Sequence, residues 1–80
     1  MEIKILGTGC PNCKELERRV RAVLAGLGVA ADVEKVTDIQ KITEFKILST
    51  PGLVINGRVV SSGRVPRAEE IRDWIRGTAG

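Results

Sequence analysis

Gly7-Thr8-Gly9-Cys10-Pro11-Asn12-Cys13-Lys14 is the stretch whose reading decides the fold. Before it, Ile3, Ile5 and Leu6 form a short apolar run that reads as a buried strand, which Gly7-Thr8-Gly9 ends as a loop. After it the spacing becomes helical. Leu16, Val20, Val23, Leu24 and Leu27 recur on one face, while Lys14, Glu15, Glu17, Arg18, Arg19 and Arg21 cover the other. Glu15 with Arg19 and Glu17 with Arg21 are acid-before-base pairs four apart, the favourable order on a helix. Gly26 and Gly28 then supply a stop signal. Two cysteines therefore stand at a strand-to-helix junction.

That position gives them unequal chemistry. If Cys10 is the N-cap, Pro11 takes the first helical position, where its missing N–H costs nothing. The N–H groups of Asn12 and Cys13 then point back at the Cys10 sulfur, as they would at an Asp or Ser cap. A thiolate there gains those hydrogen bonds and the positive end of the helix dipole, and Lys14 adds a cation on the same side. The sequence thus predicts a Cys10 pKa below the ~8.5 of a free thiol. Cys13 precedes Leu16 by three and Val20 by seven on the apolar face, so it is expected to be the more buried thiol. Cys10 would attack a disulfide and Cys13 would resolve the mixed disulfide that results.

The remaining chain frames this junction. Val29 to Val36 reads as a second strand with Val29, Ala31 and Val33 on one side. Asp38 reads as the N-cap of a second helix carrying Ile39, Ile42 and Phe45. Ser49-Thr50-Pro51-Gly52 leads into Leu53-Val54-Ile55, and Asn56-Gly57 joins that run to Arg58-Val59-Val60-Ser61 as a tight hairpin. Past Gly63, Pro66 stands in or just before a final helix with Ala68, Ile71, Trp74 and Ile75 on its apolar face, and Gly77 to Gly80 are expected to fray. The order is β-α-β-α-β-β-α. It predicts one domain over residues 1–80: a right-handed parallel crossover plus a hairpin, giving a four-stranded mixed sheet with three helices packed on it.

Composition narrows the function. The 80 residues are 42% hydrophobic and 29% charged, ordinary for a folded chain. Thirteen basic residues are interleaved with 10 acids for a net charge of +3, and one Phe, one Trp and no Tyr leave no base-stacking platform, so no nucleic-acid partner is expected. No stretch reaches the ~18 apolar residues of a membrane span, and Met1-Glu2-Ile3-Lys4 has no signal-peptide layout, so the expected setting is cytoplasmic. In that setting a close cysteine pair is more often catalytic or metal-binding than a structural staple. A closed zinc site needs four ligands, and the chain has two Cys and no His, so no metal is expected. Two thiolates could still hold Cu(I), a soft ion, as in a chaperone-like module. A redox-responsive binding module without turnover is a third reading.

Gly9-Cys10-Pro11-Asn12-Cys13 between the first strand and helix, Ser49-Thr50-Pro51 before the third strand, and the Asn56-Gly57 hairpin followed by Gly63 together span nearly the whole chain. In these the chain resembles the thioredoxin superfamily in its minimal glutaredoxin-like form, and more closely the small archaeal and bacterial redox-active disulfide proteins. The resemblance implies a protein-disulfide reductase and electron carrier, monomeric, using the Cys10–Cys13 disulfide and no other cofactor, recharged by a thioredoxin-reductase-like or other thiol reductase. It also implies a cis Thr50–Pro51 peptide facing the cysteines, with Thr50, Gly9 and Gly63 meeting substrate and Pro11, Asn12, Lys14 and Pro51 supporting the site. Three departures stand out. Gly9 replaces the usual Trp, Asn12 replaces the aromatic of glutaredoxins, and Lys4 stands where thioredoxins place a buried acid. Ser61-Ser62-Gly63-Arg64 in place of Gly-Gly-Asp leaves glutathione use open. Lys4 is expected to snorkel from its strand, and Arg64 and Arg67 to be solvated.

Overall fold

β1 (Glu2–Leu6) is the strand around which the chain is built: β2 (Asp32–Val36) pairs with it in parallel on one side and β3 (Gly52–Ile55) antiparallel on the other. β4 (Arg58–Ser62) completes the mixed sheet in the order β2-β1-β3-β4. In the computed structural model, which describes the backbone of residues 1–79 and the side chains of residues 1–77, the strands alternate with α1 (Pro11–Leu27), α2 (Ile39–Glu44) and α3 (Ala68–Ala79) in the expected order.

Side-chain alternation along β1 distributes two cores. Ile3 and Ile5 join Leu16, Val20, Val23 and Leu24 of α1 and Ile71 and Ile75 of α3. Leu6 turns to the opposite face, against Val36, Ile42 and Val54. α1 and α3 thus share one face of the sheet and the short α2 covers part of the other. Lys4 lies on the α2 face, its Nζ 5.6 Å from the Phe45 ring centroid and 3.9 Å from Glu34. Its stem covers apolar surface while the ammonium reaches a partner, as expected of a snorkelling lysine.

Several boundaries differ from the sequence reading for identifiable reasons. The second strand begins at Asp32 instead of Val29, because Gly28 caps α1 in the left-handed region and the Val29 N–H returns to Leu24 O at 3.1 Å. Val29, Ala31 and Val33 still pack on the α1/α3 core. In α2, Phe45 is the C-cap and Ile39 is 68% exposed, so Ile42 alone of the three expected residues is fully buried. α3 starts at Ala68, which is exposed, and runs through Ala79; Gly77 is helical rather than frayed, and Gly80 lies outside the described residues. The hairpin turn has positive φ at both Asn56 (49°) and Gly57 (81°), the type I′ requirement. Val60 is the extra residue where the β3–β4 register shifts.

Polar pairs hold the periphery. Glu15 and Glu17 meet Arg19 and Arg21 at 2.7 and 3.0 Å as the spacing predicts, and Arg19 also reaches Pro66 O at 3.0 Å, tying α1 to the segment before α3. Arg64 and Arg67 are exposed, as expected, and both pair with Glu70 at the surface. Glu70 takes both nitrogens of Arg64 at 3.1 and 2.7 Å and the Arg67 backbone N–H at 3.2 Å, one half of a capping box at the start of α3. Arg64 first and the Arg67 N–H second hold the Glu70 carboxyl at about 2.

Two outcomes follow from this packing. Leu16→Ala is expected to lower unfolding free energy by about 2–5 kcal/mol in denaturant titration, while exposed Ile39→Ala should change it by less than about 0.5. The depressed carboxyl of Glu70 contributes stability above the ordinary carboxylate range that is lost as pH falls toward about 2. Thermal melts between pH 5 and 2 should therefore show a smaller acid loss in Glu70→Gln than in the parent.

Candidate functional site

Cys10 is the N-cap of α1. Its backbone is extended (φ −67°, ψ 164°), its carbonyl accepts the first helical bond from the Lys14 N–H at 3.1 Å, and its sulfur accepts from the Cys13 N–H at 3.3 Å. Pro11 occupies N1. This is capping with sulfur in place of oxygen. Both cysteines are free thiols, Cys10 half-exposed and Cys13 only 6% exposed.

The two sulfurs titrate in opposite directions. The Cys13 side chain and then the Cys13 N–H, with a lesser share from the Asn12 N–H, stabilise the Cys10 thiolate and draw its pKa below the ordinary thiol range. Burial pushes the Cys13 thiol up, and its hydrogen bond to Cys10 adds to the rise. Lys14 lines a cavity of ≈ 90 Å³ behind Cys13, beside Gly7, Gly9, Glu17, Lys35 and Thr37.

Gly7 is the residue that sequence reasoning missed. The sequence places it in a loop, yet it is buried, and its N–H extends the β1–β2 ladder to Val36 O at 3.0 Å. A Cβ at Gly7 would collide with the Cys13 sulfur and would stand 3.9 Å from Thr50 Cβ. Gly7 is thus the seat of the Cys13 sulfur and the point where the dithiol turn meets the 49–51 loop. The available signal was a glycine closing an apolar strand, where another chain segment can approach the backbone closely. Gly9 has φ +89°, a conformation that other residues adopt only with strain, and no neighbour within 4 Å of where a Cβ would lie.

Across from the thiols, Thr50–Pro51 is a cis peptide. Pro51 is fully buried, and its carbonyl accepts from the Gly63 N–H at 2.9 Å. Gly63, expected to admit substrate, spends its backbone donor on this internal bond and faces the Ser49 hydroxyl. Thr50 is exposed, on a groove of ≈ 270 Å³ with Thr8, Ile39, Thr43, Leu48 and Ser49. Leu48 is fully exposed there, an uncommon position for a large apolar side chain. Asn12 and Pro11 are exposed on the rim of the turn. Lys4 belongs to the opposite face from the Cys13 seat, so a role near the thiols has no geometric support. Among the described residues, no three His, Cys, Asp or Glu side chains gather as a metal set, and no helix is long and apolar enough to cross a membrane.

Comparison with known proteins agrees with this geometry. The family model described as a thioredoxin domain matches residues 1–76. A thioredoxin of Methanothermobacter thermautotrophicus is 40% identical over 72 residues, covering 90% of this chain and 94% of that protein. A thioredoxin of Methanocaldococcus jannaschii is 36% identical over 74 residues, 92% of this chain and 85% of that protein. The solution structure of oxidised thioredoxin from Plasmodium falciparum superposes with a TM-score of 0.61 at 18% identity, over 99% of this chain and 81% of that one, which speaks to the fold. On these matches the chain belongs to the thioredoxin domain family, a thiol–disulfide oxidoreductase with Cys10 and Cys13 as its cysteine pair.

Proposed function

We propose that the chain reduces protein disulfides through a mixed-disulfide intermediate, with Cys10 attacking and Cys13 resolving. The observation that carries this reading is the asymmetry of the pair: one thiol exposed and held low by helix-end donors, the other buried and held high. A thiol held below its ordinary range ionises more readily, and the more exposed of the pair meets the substrate first. A high, enclosed thiol is protected from outside disulfides and reacts with the one sulfur within its reach.

In the first step Cys10, its proton given up to solvent, attacks one sulfur of the substrate disulfide as a thiolate, forming Cys10–S–S–R and releasing the other half as a thiolate that takes a proton from solvent. In the second the Cys13 sulfur attacks Cys10 Sγ, closing the Cys10–Cys13 disulfide and releasing R–SH. Two electrons leave the dithiol and two protons accompany them. A thiol reductase then restores the reduced pair. The exposed Thr50 backbone and the apolar groove beside it support docking of an extended segment next to the attacking sulfur. The substrate class is therefore polypeptide. Glutathione is a weaker fit, since Gly63 is committed to Pro51. A reducing compartment such as the cytoplasm suits a pair that must return to the dithiol.

The asymmetry is checked by alkylating the reduced protein across pH 5–9 and locating the label by mass. Modification is expected on Cys10 at neutral pH, with Cys13 labelled only at the alkaline end; equal labelling of both throughout would overturn the assignment. Cys13→Ser should accumulate a stable Cys10-linked mixed disulfide with a protein substrate, whereas Cys10→Ser should form none. Gly7→Ala should displace the Cys13 sulfur and slow closure of the Cys10–Cys13 disulfide at least about tenfold, at a cost of about 1–3 kcal/mol in stability from overpacking. Single-turnover closure rates and denaturant melts on the same variant separate the two effects.

A further inference from the structure

A resolving thiol that burial holds protonated needs somewhere to send its proton, and the family's acid in β1 is replaced here by Lys4 on the far face of the sheet. The ≈ 90 Å³ cavity behind Cys13 is lined by one carboxylate, Glu17, together with Lys14 and Lys35. Glu17 follows Cys13 by four residues in α1, so the two side chains are neighbours on one helix stripe, with Cβ atoms about 5–6 Å apart. The cavity exceeds what a single water requires, so a proton can pass directly or through one water. The Glu17 side chain is only 19% exposed, and it is fixed from two directions: Arg21 at 3.0 Å on Oε2 and Lys35 of β2 at 3.7 Å on Oε1.

The geometry points to Glu17 as the proton acceptor for Cys13 in the resolving step, a role that rests on the dithiol mechanism proposed above. As Cys13 Sγ attacks Cys10 Sγ, its proton passes to the Glu17 carboxylate. The S–S bond to substrate breaks, the new Cys10–Cys13 bond forms, and the leaving R–S⁻ recovers the proton from Glu17. The sum is Cys13–SH plus Cys10–S–S–R giving the Cys10–Cys13 disulfide plus R–SH, with no added oxidant. Arg21 and Lys35 fix the carboxylate at the cavity wall. Lys35 and Lys14 offset the charge that develops on sulfur as the proton moves. The titratable and charged groups facing the Cys13–Glu17 pair are Cys10, Lys14 and Arg21 of α1 and Lys35 of β2; Ile5, Gly7, Gly9 and Thr37 complete the walls and carry no charge.

The test is a stopped-flow reaction of the reduced protein with 5,5′-dithiobis(2-nitrobenzoate), which releases one thionitrobenzoate when Cys10 attacks and a second when Cys13 resolves. In Glu17→Gln the second phase is expected to slow at least about tenfold at pH 7 and to converge on the parent rate as pH approaches the range where Cys13 ionises unaided. The first phase should stay within about twofold. Glu17→Ala, which keeps a strong helix former, should behave alike, and Glu17→Asp should restore most of the rate. Glu15→Gln, on the same helix but outside the cavity, should match the parent. A second phase that is unchanged in Glu17→Gln, or slowed by one factor at every pH, would overturn the role of Glu17 while leaving the dithiol mechanism intact. A parent protein with no second phase would remove both.

Discussion

The approach of the first turn of α1 to the end of β1 is the contact on which this molecule depends. Helix and strand can meet there because Gly7 has no side chain, and the space it leaves is filled by the Cys13 sulfur. Once that sulfur is seated, the Cys13 N–H is aimed at Cys10 and the helix has its cap. The rest of α1 then lies along the sheet with Leu16, Val20, Val23 and Leu24 over Ile3 and Ile5. Stability and chemistry use the same few atoms. A cap that were Ser or Asp would serve the helix as well and could not react with a disulfide.

Burial and hydrogen bonding are the largest causes that divide the two thiols. Cys10 is lowered by donors at the helix end, and Cys13 is raised by the enclosure that Gly7 makes possible. Lys14, four residues after Cys10 and next to Cys13 in the chain, lines the rear cavity. The strand-borne charge at Lys4 is turned away by the pleat and absorbed by Glu34 and Phe45.

The facing wall is assembled from distant segments. Ser49-Thr50-Pro51 is held by the Gly63 N–H from beyond β4, and the Asn56 turn is anchored to the start of β1 by bonds of 2.7 and 2.8 Å in both directions. The loop that presents Thr50 is therefore braced through the sheet, and exposed Leu48 and Ile39 flank it on the solvent side. Rigid backing with an apolar, accessible front is the arrangement expected where an extended polypeptide must settle against a reactive atom.

Much of this was legible in the sequence because it is local. Pro11 after a cysteine at a strand–helix junction, the helical repeat of Leu16 to Leu27, the Asn56-Gly57 turn and the i,i+4 pairs each follow from short-range stereochemistry, so element order, cap and the unequal thiols could be read directly. The parts that could not be read are those where segments far apart in the chain meet. Whether Gly7 is loop or seat depends on where α1 lands. Whether Gly63 touches substrate or braces Pro51 depends on the fold of β4, and whether Arg64 is free depends on the start of α3. Local periodicity says which face of each element is apolar, and only the closed sheet decides what that face, and the polar groups at its edges, will meet.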